Sequence, residues 1–93
     1  MQNASKWDRI LSILPQNMEA LAYSTGAFVR PRGIPSPSVL LRLLLAYSTT
    51  SFSFRQIAAW ATMQEIAQIS DVALILRMKH CEAWLNALIN ELL

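Results

Sequence analysis

The stretch from Phe52 to His80 (FSFRQIAAWATMQEIAQISDVALILRMKH) constrains the chain more than any other, because it carries two complete helix starts. Ser53 is placed to cap a helix while Gln56, three residues on, reaches back to the amide of the cap residue, which makes a capping box. Phe52 and Ile57 occupy the two positions of a hydrophobic staple. Ser70 starts a second helix, with Asp71 putting negative charge in the first turn where the helix dipole favours it, and Ile69 and Leu74 at staple positions. The pattern predicts a helix over Arg55 to Ala61 and another from Asp71 onward, a helix-turn-helix-like pair with an extended turn. A standard pair is joined by three or four residues that often include Gly. Thr62 to Ile69 is longer and has none. Thr62 followed by Glu65 predicts an extra helical turn inside the link.

The other segments read as helices too. Lys6 to Leu14 sets Trp7, Ile10, Leu11 and Leu14 on one face, and Pro15 ends it. Asn17 is placed to cap a helix running to about Thr25 that buries Met18, Leu21 and Ala22, with Gly26 suited to the left-handed position after it and Phe28 folding back. RPRGIPSP, Arg30 to Pro37, holds three of the four prolines and one of the two glycines, so an ordered or semi-rigid loop that presents Arg30 and Arg32 is expected. Ser36 and Pro37 then start a helix over Pro37 to Ser48 that is apolar around most of its circumference and so belongs at the centre. Its one charge, Arg42, either reaches solvent along its stem or pairs with a carboxylate. From Glu82 a last helix carries Leu85, Leu88, Ile89 and Leu92 on one stripe, with Trp84 beside it. No segment alternates over a strand length. The expected fold is all-α, a single domain over residues 1–93 built as a compact bundle of five or six short helices.

Composition bounds what such a bundle can do. A chain of 93 residues holds one core and no separate catalytic lobe. An apolar fraction of 54% against 15% charge leaves open either a dense aromatic core or apolar surface meant for a partner. The C-terminal stripe of Trp84, Leu85, Leu88 and Leu92 ends abruptly at Leu93, as a fragment or a domain edge would, and is the expected interface, with self-association as its consequence. Between Ala27 and Cys81 the charges are uneven: Arg30, Arg32, Arg42, Arg55, Arg77 and Lys79 face only Glu65 and Asp71. That bias suits an anionic partner.

A single cysteine, Cys81, excludes an internal disulfide and fits a reducing cytoplasm. His80 beside it points about 100° away on a helix, so the two make no metal site, and no cofactor is expected. One His, one Cys and scattered carboxylates provide no nucleophile, base and orienting group, so no catalytic residue is assigned. MQNASKWDRI has no basic region followed by a long apolar run, so no signal peptide is expected. The apolar run Val39 to Ala46, interrupted by Arg42, is far below the roughly 18 residues of a membrane span.

On a helical wheel from Asp71, Val72, Ile75 and Leu76 share a face that Leu74 and Met78 widen, which is the expected core side. The opposite ridge is Ser70, Ala73, Arg77 and His80, either a merely solvated face or one that approaches a groove edge or phosphates. Lys79 falls on the apolar side and must snorkel outward.

At LLRLLLAY (Leu40 to Tyr47), SFRQIAAWA (Ser53 to Ala61) and ISDVALILRM (Ile69 to Met78) the chain resembles the N-terminal domain of bacterial insertion-sequence transposases of the DDE class. STGAFVRPRGI (Ser24 to Ile34) and AWLNALINELL (Ala83 to Leu93) fit the same pattern. In that family the domain precedes a ribonuclease-H-like catalytic domain that uses three carboxylates and divalent metal, and none of that domain is here. The resemblance implies a non-catalytic, cytoplasmic, nucleoid-associated domain. Its role in DNA transposition would be to bind the terminal inverted repeats of a mobile element or to assemble the transposase. Glu65 stands where relatives often have Gly, and Met78-Lys79-His80 is less basic than the usual continuation. The expected DNA-binding residues are Arg30, Arg32, Arg55, Ser70, Arg77, Lys79 and His80, with Arg77 reading a base edge. The expected partners are double-stranded DNA, the transposase catalytic domain and a second copy of the chain, with no membrane. A helical dimerisation domain packing on the catalytic domain is the alternative.

Overall fold

The computed structural model describes residues 6–93, with the Lys6 side chain outside that description. The start of the MQNASKWDRI segment, read above for a signal peptide, lies outside the described residues. Six helices follow in order: α1 (Lys6–Ile13), α2 (Met18–Ser24), α3 (Pro37–Thr49), α4 (Phe54–Met63), α5 (Asp71–Lys79) and α6 (Glu82–Leu92). There is no strand among the described residues, as expected. No helix among them is long and apolar enough to cross a membrane.

The helix starts follow the cap chemistry. Ser53 Oγ accepts from the Gln56 amide at 3.2 Å while Gln56 Oε1 accepts from the Ser53 amide at 2.8 Å, so both halves of the capping box close. Ser70 Oγ accepts from the Ala73 amide at 3.1 Å, and Ser36 Oγ from the Val39 amide. Asn17 is the exception: its side chain makes no cap bond, and the chain turns instead through the Met18 amide donating to the Pro15 carbonyl. Proline already fixes that turn, so the amide side chain adds nothing. The first staple also fails. Phe52 is exposed while Phe54, two residues on, stacks on Tyr47 with ring centres 4.1 Å apart. The aromatic contact with α3 takes the place of the staple.

The link between α4 and α5 holds no extra helical turn. Thr62 hydroxyl donates back to the Ala58 carbonyl, inside α4, rather than capping anything. α4 ends in a Schellman motif: the Ile66 amide donates to the Ala61 carbonyl, and the Glu65 amide to that of Thr62. Glu65 has φ 57°, the left-handed conformation that this motif needs and that normally selects Gly.

α4 packs on α5, α3 on α4, and α2 on both α3 and α6. α3 supplies Leu40, Leu41 and Leu43 to the core, with Val39, Leu44, Leu45 and Ala46 packed around it, as a helix apolar on most sides must. Arg42 emerges between them and lies over the Trp60 ring, 5.7 Å from its centre. The sequence expectation for α6 is corrected at two positions. Trp84 and Leu88 are buried inside this chain, and the Trp84 indole N–H donates to the Met18 carbonyl at 3.0 Å. A buried indole needs an acceptor, and the first residue of α2 provides one, which turns this side of α6 inward. Leu85 is half-buried against the core, and Leu92 stays exposed.

Candidate nucleic-acid interface

The Arg-Pro-Arg-Gly loop is held at three places. Ile34 is fully buried and anchors its far end. Gly33, at φ 80°, carries a carbonyl that accepts from the Gln68 amide at 2.8 Å, tying the loop to the α4–α5 link. A Cβ at Gly33 would run into the Gln68 carbonyl oxygen, so the close approach requires glycine as much as the dihedral does. The third tie is Arg77 of α5. Its Nη2 donates to the Arg32 carbonyl at 2.9 Å, and its guanidinium lies over the Phe28 ring, 5.5 Å from the centre. Phe28 is itself held by its amide on the Ala22 carbonyl and edge-to-face against Tyr23.

These ties bring four of the sequence-selected residues together. Arg30, Arg32, Arg77 and His80 line one cleft between the loop and the C-terminal end of α5, and Arg32, Arg77 and His80 continue into an adjoining one with Ala73 and Leu76. Among the described residues, no carboxylate lines either cleft. Three guanidinium groups so placed repel one another and favour an anion between them, the more so because the loop carrying two of them is pinned. The remaining three residues do not line these clefts. Ser70 caps α5, Arg55 is exposed in the first turn of α4, and Lys79 is exposed near the end of α5.

The inward face of α5 differs from the expected one. Leu74, Met78 and then Cys81 run along the core side, while Val72 and Leu76 are 63% and 54% exposed. Lys79 therefore has no core side to snorkel from: it shares the ridge of Val72 and Leu76, and that ridge faces outward. The missed signal is Cys81, a residue type most often buried, which continues the Leu74–Met78 spacing and rotates the inward stripe away from Val72. Cys81 Sγ donates to the Arg77 carbonyl at 3.3 Å. Burial pushes its thiol up from 9.0 to about 11, with the Arg77 charge pulling weakly the other way. It is a packed core group.

Over 89 residues, 94% of its length, this chain is 36% identical to the InsL proteins of insertion sequence elements IS186A and IS186B of Escherichia coli (strain K12). It is likewise 36% identical over 90 residues to the transposase for insertion sequence element IS421 of Escherichia coli. The chain is homologous to insertion-sequence transposases. It spans 24% of the length of these relatives. No family model and no solved structure matches it. The transposase relationship thus covers the pinned loop, the capped α4 and α5 and the core beneath them.

Proposed function

We propose that this chain is the DNA-binding N-terminal domain of a DDE-class transposase, recognising the terminal inverted repeats of its mobile element in the bacterial cytoplasm and nucleoid. The observation that carries the reading is the carboxylate-free cleft in which Arg30, Arg32, Arg77 and His80 converge. α4 and α5 act as a helix-turn-helix-like pair with an extended turn, and α5 is the helix that enters the groove. Arg30 and Arg32 neutralise phosphates. Arg77, whose guanidinium is already engaged by the Arg32 carbonyl and the Phe28 ring, positions the loop that carries them. Arg55 and Lys79 add backbone contacts beyond the cleft, and Ser70 holds the start of the helix.

Binding of duplexes bearing the ends of the element, measured against salt, tests this reading. The logarithm of affinity should fall linearly with the logarithm of salt concentration, and Arg30→Ala and Arg32→Ala should each reduce the slope by about one unit. Arg77→Ala should weaken all duplexes alike, because the loop loses its tie. Affinity that does not respond to salt would remove the proposal. A second reading, assembly through α6, draws on the exposure of Ile89, Leu92 and Leu93 at its end, with Leu85 half-buried beside them. A second copy or the transposase catalytic domain would cover them. Sedimentation of the chain with and without Leu92→Glu tests it.

A further inference from the structure

The outward ridge of α5 carries apolar side chains where a solvated helix face would carry polar ones. Val72 and Leu76 lie one helical turn apart on it, both largely exposed, and Lys79 continues the ridge one turn further on. Leu76 also borders the cleft formed by Arg32, Arg77 and His80. The ridge is thus apolar along its middle and cationic along its side and at its end. A protein partner with a purely apolar surface would leave these cations facing no counter-charge, which is costly when they are desolvated. The occupant that matches both halves presents apolar groups between rows of anions. The major groove of duplex DNA does this, because thymine 5-methyl groups stand on its floor between two phosphate backbones, and its width of about 12 Å admits a helix.

We propose that Val72 and Leu76 read thymine 5-methyl groups in the major groove while Arg30, Arg32 and His80 hold the flanking phosphates. The proposal rests on the DNA-binding reading and adds the source of sequence preference. Val72 suits the task because a β-branched side chain on a helix keeps essentially one rotamer, so its methyl groups form a fixed surface. Asp71, the carboxylate nearest to Val72 in sequence, has Oδ1 turned onto the Val72 amide and is tied at the helix start.

The test uses the intact chain to select a preferred duplex from a pool with randomised centres, and then compares that duplex with the same sequence made with deoxyuridine in place of thymine. Losing each contacted methyl should weaken binding about four-fold, the worth of one buried CH₂. Val72→Ala and Leu76→Ala should weaken binding to the thymine duplex and shrink the thymine-to-uracil ratio, without changing the salt slope. Equal affinity for the two duplexes with a normal salt slope would overturn the methyl readout and leave DNA binding standing. The same holds if the pool yields no preferred sequence, or if Leu76→Ala alters sedimentation and not the ratio. Loss of all salt-dependent binding would instead remove the reading beneath it.

Discussion

α5 and α6 follow one another with only His80 and Cys81 between them, and both are amphipathic, yet their apolar stripes meet opposite fates. On α5 the wheel turns Val72, Ile75 and Leu76 inward, and the fold leaves Val72 and Leu76 in solvent. On α6 the stripe that reads as an interface turns Trp84 and Leu88 into the core. Polar handles decide between near-equal arcs. The Trp84 indole finds the Met18 carbonyl, so α6 is fixed with that side in; Arg77 must reach the Arg32 carbonyl and Phe28, so α5 is fixed with Leu74 and Met78 in. A hydrophobic stripe says that a face is apolar, whereas a single satisfied donor says where it points.

The most forceful way to break this comparison is Trp84→Ala. If α6 is set by the indole, its removal leaves a large cavity and an acceptor without its donor, and unfolding free energy should drop by about 3–5 kcal/mol in a urea titration. A loss no larger than that of an ordinary surface change would mean that α6 is held by something else.

The junction between the two helices offers a pH-dependent version. Cys81 is buried there, with its thiol raised from 9.0 to about 11. The unfolded chain therefore loses this proton first. The contribution is fully present below the unfolded value, and stability declines as pH rises from 9.0 toward about 11. The slope is at most about 1.4 kcal/mol per pH unit for one group. Urea midpoints across that window, compared with those of Cys81→Ala, isolate the term; the variant should lack this part of the decline.

What was legible follows the same division. The capping box at Ser53, the cap at Ser70, the left-handed Gly26 and the central α3 all depend on neighbours in sequence, and short-range chemistry displays them. Charge and ridge position mark Arg30, Arg32, Arg77 and His80, but their convergence depends on Gly33 meeting Gln68 and on Arg77 crossing to Arg32. Those are long-range ties that no local pattern encodes. Asn17, Phe52 and Thr62 failed for a shared reason: each is a residue type that can cap or staple, and in each case a neighbouring interaction does something else first.

Glu65 sharpens the comparison from the side of α5, since the link that delivers this helix turns at a left-handed glutamate. The conformation costs about 1–2 kcal/mol for an L residue, and glycine would relieve it while adding freedom to the unfolded chain. Glu65→Gly should therefore stabilise the domain by about 0.5–1 kcal/mol in urea titrations. A destabilisation would mean that the glutamate side chain holds the link in place.

The smallest effect is the most diagnostic, because it compares one deletion on the two helices. Leu88 is 4% exposed and Leu76 is 54% exposed, and replacing either by alanine removes the same atoms. At Leu88 the change empties packed volume and should destabilise by about 2–5 kcal/mol. At Leu76 over half of the side chain faces solvent, and alanine is the better helix former, so stability should stay within about 0.5 kcal/mol. A Leu76→Ala variant that unfolds as readily as Leu88→Ala would put the α5 ridge back inside the protein and take with it any role for that ridge in contacting DNA. A variant that stays folded keeps the ridge free, and a side chain that the fold does not use for its own stability is free to be selected for contact with something else.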